Sequence, residues 1–197
     1  NTLSAFQTSY NHGLRGFEID VHITKDNEIV VIHDHTIDRT MQGSGTVENM
    51  TAAELKEIKT KKGNQILFLD EALDFFNQYP GLYVEFEMKT RTDDYTDQVV
   101  QKFSEQLFEQ VYKNKPESST YLLTSFDKRP LTYLKNKYQT EDLLFIISKP
   151  LSEDVLNQAK ELGINRIGCN IGGTNRAMVK NLSSINKSRK IVGKKKK

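Results

Sequence analysis

From Leu82 onward, stretches with strand character alternate with stretches of helical periodicity, and the connections between them are short. Residues 82–88, 120–125, 143–148 and 164–171 read as strands, and 96–112, 130–138, 152–162 and 175–182 as helices. Ile191-Val192 opens one more strand. Parallel strands need a crossover of a dozen or more residues, usually a helix, so this alternation predicts a parallel sheet with helices packed on it. Two architectures satisfy the pattern, an open doubly wound sheet and a closed (β/α) barrel. No glycine-rich dinucleotide loop follows the first strand, which weighs against the Rossmann arrangement.

The first 81 residues carry the same signals less regularly. Leu3, Phe6, Tyr10 and Leu14 recur at helical spacing, and Gly13 and Gly16 stand where that helix ends. Residues 16–22 alternate strictly between apolar and polar, a strand, and the turn Lys25-Asp26-Asn27 leads to a second strand over 28–33. Thr51 and Glu54 form a capping box for a short helix with Leu55 and Ile58 on its inner side, and a further helix runs over 70–78.

The chain has 197 residues, 37% hydrophobic and 27% charged, the composition of a globular domain. It holds no apolar run long enough to span a bilayer, so no stable membrane insertion is expected. Its net charge of +2 is unevenly spread. Seven of the 28 Lys and Arg residues lie between Lys187 and Lys197, where no acid occurs, so the remaining 21 face 26 Asp and Glu. The body, residues 1–186, is mildly acidic, which argues against a nucleic-acid surface, and 187–197 reads as a solvated basic tail. Cys169 stands alone, which excludes an internal disulfide or a cysteine zinc cluster and suits a small buried hydrophobe. The expected compartment is cytoplasmic by default.

Chemistry concentrates on two strands. Glu18, Asp20 and His22 occupy alternate positions and so share a face. Adjacent carboxylates repel unless a cation compensates them, and oxygen donors on a rigid strand suit Ca²⁺ or Mg²⁺. The competing reading is a solvent-facing polar stripe. Glu85, Glu87 and Lys89 repeat the pattern, with Val84, Phe86 and Met88 on the other face. Parallel sheets are covered on both sides, so an acidic face there needs a reason. A third carboxylate for a metal and a cation for an anionic substrate supply one; an ion-paired structural face is the other. His33 follows the apolar run 29–32, at the strand end where parallel-sheet enzymes place their sites, and Asp34 stands ready to orient it, unless the pair is simply a turn.

In order along the chain, Asn1-Thr2-Leu3-x-Ala5-Phe6, Gly16-Phe17-Glu18-Ile19-Asp20-Val21, Thr24-x-Asp26, Val30-Val31-x-His33-Asp34, Arg39-Thr40, Gly43-x-Gly45-x-Val47, Thr51-x-x-Glu54-Leu55, Glu87-Met88-Lys89 and Ser125-Phe126-Asp127 resemble the glycerophosphodiester phosphodiesterase family. The likeness is dense over residues 1–60, patchy to 130 and architectural afterwards. It implies a (β/α)₈ TIM-type barrel that hydrolyses small-molecule glycerophosphodiesters to an alcohol and glycerol 3-phosphate. By position it implies Glu18, Asp20 and Glu87 as ligands of a divalent metal, Ca²⁺ or Mg²⁺. His33 would be one of two histidines acting as general acid and base, and Lys89 would hold the phosphate. The family's first histidine lies in a His-Arg-Gly motif on a strand that would precede Asn1, and the last one or two strand–helix units are also missing. The resemblance therefore implies a barrel incomplete at both ends, of very low activity as it stands. Two rival expectations are a catalytically silent barrel that binds phosphodiesters or a protein partner, and a phospholipase D-like enzyme acting on lysolipids.

Overall fold

A buried cluster of aromatic rings holds the first part of the chain together. Helix α1 (Leu3–Asn11), capped by the Thr2 hydroxyl, buries Phe6. Strand β1 (Gly16–Ile23) buries Phe17, and helix α3 (Leu69–Asn77) buries Phe75 and Phe76. Phe76 is fully buried, and its ring centroid lies 5.2 Å from that of Phe6, 5.4 Å from those of Phe17 and Phe75, and 6.3 Å from that of Phe86 on strand β4 (Tyr83–Met88). Tilted and edge-to-face contacts of this kind add to the burial of large apolar area.

The computed structural model describes residues 1–90, 93, 95–174, 179 and 190–194. Two units result, residues 1–122 and 123–197, with the division inside strand β5 (Thr120–Ser125). The helix expected over 175–182 lies outside the described residues, apart from Val179. Among the described residues no helix is long and apolar enough to cross a membrane.

In the first unit β1 and β4 pair in parallel, with Glu18 opposite Glu85 and Asp20 opposite Glu87. The parallel rule fails on the other side of β1. Strand β2 (Ile29–Val31) is antiparallel to β1, and the short strand β3 (Leu67–Phe68), which the sequence pattern did not reveal, is antiparallel to β2. The reason lies in the loop. Three residues cannot carry the chain back to the start of a parallel neighbour, but they suffice for a hairpin. Asn27 adopts the left-handed φ of 68° that this turn needs, and the Thr24 N–H donates to the Glu28 carbonyl at 2.8 Å.

This excursion has its own core. Val30, Ile32, Ile37, Met41, Val47, Leu55, Ile66 and Phe68 form one buried cluster beneath a 3₁₀ turn (Val47–Asn49) and helix α2 (Ala52–Glu57). Both arms of the expected capping box are formed: the Glu54 N–H donates to the Thr51 hydroxyl, and Glu54 Oε2 accepts from the Thr51 N–H. Asp26 clamps the hairpin turn to the same helix, accepting from Thr24 Oγ1 at 2.6 Å and the Ala52 N–H at 2.9 Å. Helix α4 (Asp97–Lys113) turns Val100, Phe103, Leu107 and Val111 inward and completes the unit.

The second unit keeps the simple repeat. Helix α5 (Lys128–Tyr138), strand β6 (Leu143–Pro150), helix α6 (Glu153–Glu161), strand β7 (Arg166–Asn170) and strand β8 (Lys190–Lys194) follow one another. The pairs β5–β6, β6–β7 and β7–β8 are all parallel. The Ser125-Phe126-Asp127 motif serves a local purpose: Asp127 caps α5, and Ser125 Oγ accepts from the Asp127 N–H. Residues 190–194 of the basic segment thus form a strand, as Ile191-Val192 suggested. Cys169 is buried, and burial pushes its thiol pKa up, so it is an inert filler.

Replacing Phe76 with Ala removes the ring that touches four others. It is expected to cost about 3–5 kcal/mol, read as a lower denaturation midpoint at unchanged slope in urea unfolding.

Candidate functional site

The pairing of β1 with β4 sets the geometry. A parallel ladder places directly opposed side chains on one face, so two strands with acids at alternate positions form two ranks, Glu18 with Glu85 and Asp20 with Glu87. Asp20, Glu85 and Glu87 are 5%, 3% and 4% exposed, while Glu18 is exposed. One oxygen each from Glu18, Asp20 and Glu87 lies within 4.8 Å of the others. The three residues singled out by the sequence therefore converge. Glu85 is engaged elsewhere, its Oε1 accepting from the Tyr83 hydroxyl at 2.7 Å.

Buried carboxylates require compensating charge. Lys89 provides it. The Lys89 backbone N–H donates to the Val21 carbonyl at 3.1 Å, extending the ladder one residue past β4. Its ammonium lies 2.6 Å from Glu87 Oε1 and 2.9 Å from Asp20 Oδ1. Burial opposes the charge on Lys89, but Glu87 and Asp20 outweigh it and hold the ammonium pKa above its ordinary value. The other Asp20 oxygen accepts from Asn1 Nδ2 at 2.9 Å. Asn1 drew attention as the first residue of the family-like segment Asn1-Thr2-Leu3, and nothing in its sequence context marks it as a partner of Asp20.

His33 reaches this region by a route other than the expected one. Strand β2 runs antiparallel, so the rule about C-terminal ends of parallel strands does not apply to it. The return leg of the hairpin carries the chain back instead: the Ile32 N–H donates to the Asp20 carbonyl at 3.0 Å, and His33 is the next residue. Its side chain is 61% exposed, with Nδ1 2.6 Å from Asp34 Oδ1. Arg39 grips Asp34 in turn, through Nε to Oδ2 at 2.6 Å and Nη2 to Oδ1 at 3.0 Å. The Arg39 guanidinium, assisted by His33 and opposed by partial burial, holds the Asp34 carboxyl far below the usual carboxylate range. An ionised Asp34 only accepts, so His33 Nδ1 carries the proton in this bond and Nε2 presents the lone pair of the neutral ring. Because that folded-state pKa is depressed, the clamp contributes its full stability above the ordinary carboxylate range and loses it progressively as the pH falls from there toward the lowered folded-state value.

His22 shares the strand with Glu18 and Asp20 but joins a different group. It is 1% exposed, and its Nδ1 lies 2.7 Å from Glu48 Oε1 on the 3₁₀ turn. The Tyr95 hydroxyl is 3.4 Å from the same nitrogen and accepts from the Ile23 N–H, while Nε2 faces the His33 carbonyl oxygen at 3.4 Å. The ring ties β1 to the excursion. Neither Glu48 nor Tyr95 was legible as its partner, because 26 and 73 residues separate them from it. His12, the C-cap of α1, is exposed.

All of these residues belong to the first unit. Residues 1–190 match the model of the glycerophosphoryl diester phosphodiesterase family. The chain is 38% identical over 93 residues to a glycerophosphodiester phosphodiesterase of Caldanaerobacter subterraneus, across 45% of this chain and 34% of that protein. It is 25% identical over 150 residues to glycerophosphodiester phosphodiesterase 1 of Mus musculus, across 70% of this chain and 45% of that one. The matched stretches thus span about a third to a half of these relatives' own lengths. Among solved structures, an Oleispira antarctica phosphodiesterase in complex with the product sn-glycerol-3-phosphate is similar with a TM-score of 0.85 at 20% identity. That match covers 98% of this chain and 78% of that one. A glycerophosphodiester phosphodiesterase from Thermotoga maritima matches with a TM-score of 0.72 at 21% identity, over 100% of this chain and 80% of that one. The likeness shows the fold, that of the (β/α)₈ TIM-type barrel enzymes, with the β2–β3 excursion set after β1. Matched by the family model from its first residue to Lys190, the chain belongs to the glycerophosphoryl diester phosphodiesterase family.

Proposed function

We propose that residues 1–186 carry a divalent-metal-dependent phosphodiesterase site that hydrolyses glycerophosphodiesters to an alcohol and glycerol 3-phosphate. The observation that carries this reading is the convergence of Glu18, Asp20 and Glu87, from two strands in register, beside the Lys89 ammonium. Relatives named for this activity and a structural neighbour holding glycerol 3-phosphate support the substrate class.

The donor set fits a hard cation. All three groups offer carboxylate oxygen, and two oxygens on one ion stand at most twice the metal–oxygen distance apart, about 4–5 Å for Mg²⁺ or Ca²⁺. The oxygens lie within 4.8 Å of one another, inside the limit of about 5 Å for Ca²⁺, while Mg²⁺ would need them within about 4.2 Å. When bound, the ion would supply positive charge against the negative charge that builds on the phosphoryl oxygens.

The remaining work falls to the chain's own side chains. Lys89 offers a cation to the phosphodiester, whose negative charge otherwise repels a nucleophile. His33 Nε2 takes a proton from the attacking hydroxyl as its P–O bond forms, or, protonated, gives one to the leaving alkoxide as the other P–O bond breaks. Asp34 fixes the ring and its tautomer, and Arg39 fixes Asp34.

The test is release of glycerol 3-phosphate from glycerophosphocholine or glycerophosphoethanolamine by the full-length protein. Release is expected to stop on chelation and return with Ca²⁺ or Mg²⁺. His33→Ala and Glu87→Ala should each lower it by about 10²-fold or more. Full activity in both variants rejects the site.

Asp34→Asn keeps an acceptor for His33 but frees Arg39 from its ion pair. It is expected to lower kcat roughly tenfold at nearly constant KM, because His33 loses its orienting charge rather than any contact with substrate.

A further inference from the structure

The Lys89 ammonium and a divalent ion have the same partners. Two of the three carboxylates proposed to hold the ion are those that the ammonium engages, Asp20 through Oδ1 at 2.9 Å and Glu87 through Oε1 at 2.6 Å. Neither side of this contact is loose. The acids are 5% and 4% exposed and fixed opposite one another on paired strands, and the Lys89 backbone is held by the Val21 carbonyl. Asp20 Oδ2 is committed as well, to Asn1 Nδ2. An incoming cation therefore meets carboxylates that are already compensated.

We propose that Lys89 is an internal rival of the divalent ion: it sets the ion's affinity by occupying Asp20 and Glu87, and is turned toward the anionic substrate as the ion takes those oxygens. The inference rests on the metal reading above and extends it. Two cations drawing on one carboxylate oxygen stand a few ångströms apart in a partly buried setting, where their repulsion is poorly screened. The ammonium carries three N–H donors on a flexible stem, so it can leave the acids and keep its charge beside them. An anion arriving with the ion receives the released ammonium. The two ligands thus favour each other's binding, and the favour is reciprocal by linkage. Lys89 would then serve twice, keeping the acid ranks together before the ion arrives and binding the phosphodiester afterwards.

Calorimetric titration of this chain with CaCl₂ and with MgCl₂ alone tests the proposal without reference to turnover. Lys89→Met should bind the ion at least tenfold more tightly than the unaltered chain, while Lys89→Arg, which keeps a rival cation, should stay within threefold of it. Binding seen only in Lys89→Met is the extreme form of the same result. Should Lys89→Met not fold, Lys89→Gln takes its place with the same expectation. Equal or weaker binding in the neutral variant, with the unaltered chain binding normally, overturns the rivalry and leaves the metal site standing. Absence of binding in every form overturns the metal reading and this inference with it.

Discussion

Everything at the site depends on one ladder. The parallel register of β1 and β4 sets Asp20 against Glu87, and a slip of one residue would turn each acid to the opposite face and bring Val21 or Phe86 into its place. Such a pairing would be repulsive if left bare. Lys89, one residue beyond the strand, offsets it with an ammonium whose charge burial opposes and the acids sustain. The apolar alternates, Ile19, Val21, Val84, Phe86 and Met88, are fully or almost fully buried on the other side. Ordinary hydrophobic burial therefore holds in place an arrangement of charge that would not assemble alone.

The excursion that follows β1 solves a separate problem. Its β2 leg returns to the level of Asp20 and delivers His33 there, while the cluster around Ile37, Val47 and Leu55 anchors the far end. His22 links the two parts: it rides on the strand of the acids and spends its ring on Glu48 and on the edge of the excursion. Its position at period two with Glu18 and Asp20 made it look like a third member of the acid group. Its burial against Glu48 shows a brace instead.

What could be read from the sequence follows from the range of the interactions involved. Period-two alternation is local, so the two acid faces were legible, as was the Thr51–Glu54 capping box, whereas the grouping of Glu87 with Glu18 and Asp20 came from the family resemblance and not from the periodicity. The helix over 96–112 showed its apolar stripe and that over 152–162 its Ser152 cap and Gly163 stop, and they appear as α4 and α6. Strand direction was not legible for β2 from the strand–helix rule alone, although the three-residue turn already required a hairpin. Strand β3 spans two residues, too few for any period to show. Glu48 and Tyr95 escaped altogether, and Asn1 and Arg39 stood in family-like motifs without their partners, because those partners are chosen by the fold and a single sequence does not state such pairings.

His33, the proposed proton carrier, sits on an antiparallel arm, apart from the strands that bear the acids. The arm has its own apolar interior and its own turn chemistry, while the acid ranks take their register from the pairing of β1 with β4. On the proposed reading, a descendant that lost the arm and kept the ranks would retain the cation-binding acids and Lys89 without the proton carrier. Conversely, small changes in the arm would retune proton transfer while leaving cation recognition intact. On the proposed reading, editing one hairpin would move such a lineage between hydrolysis and mere capture of phosphodiesters.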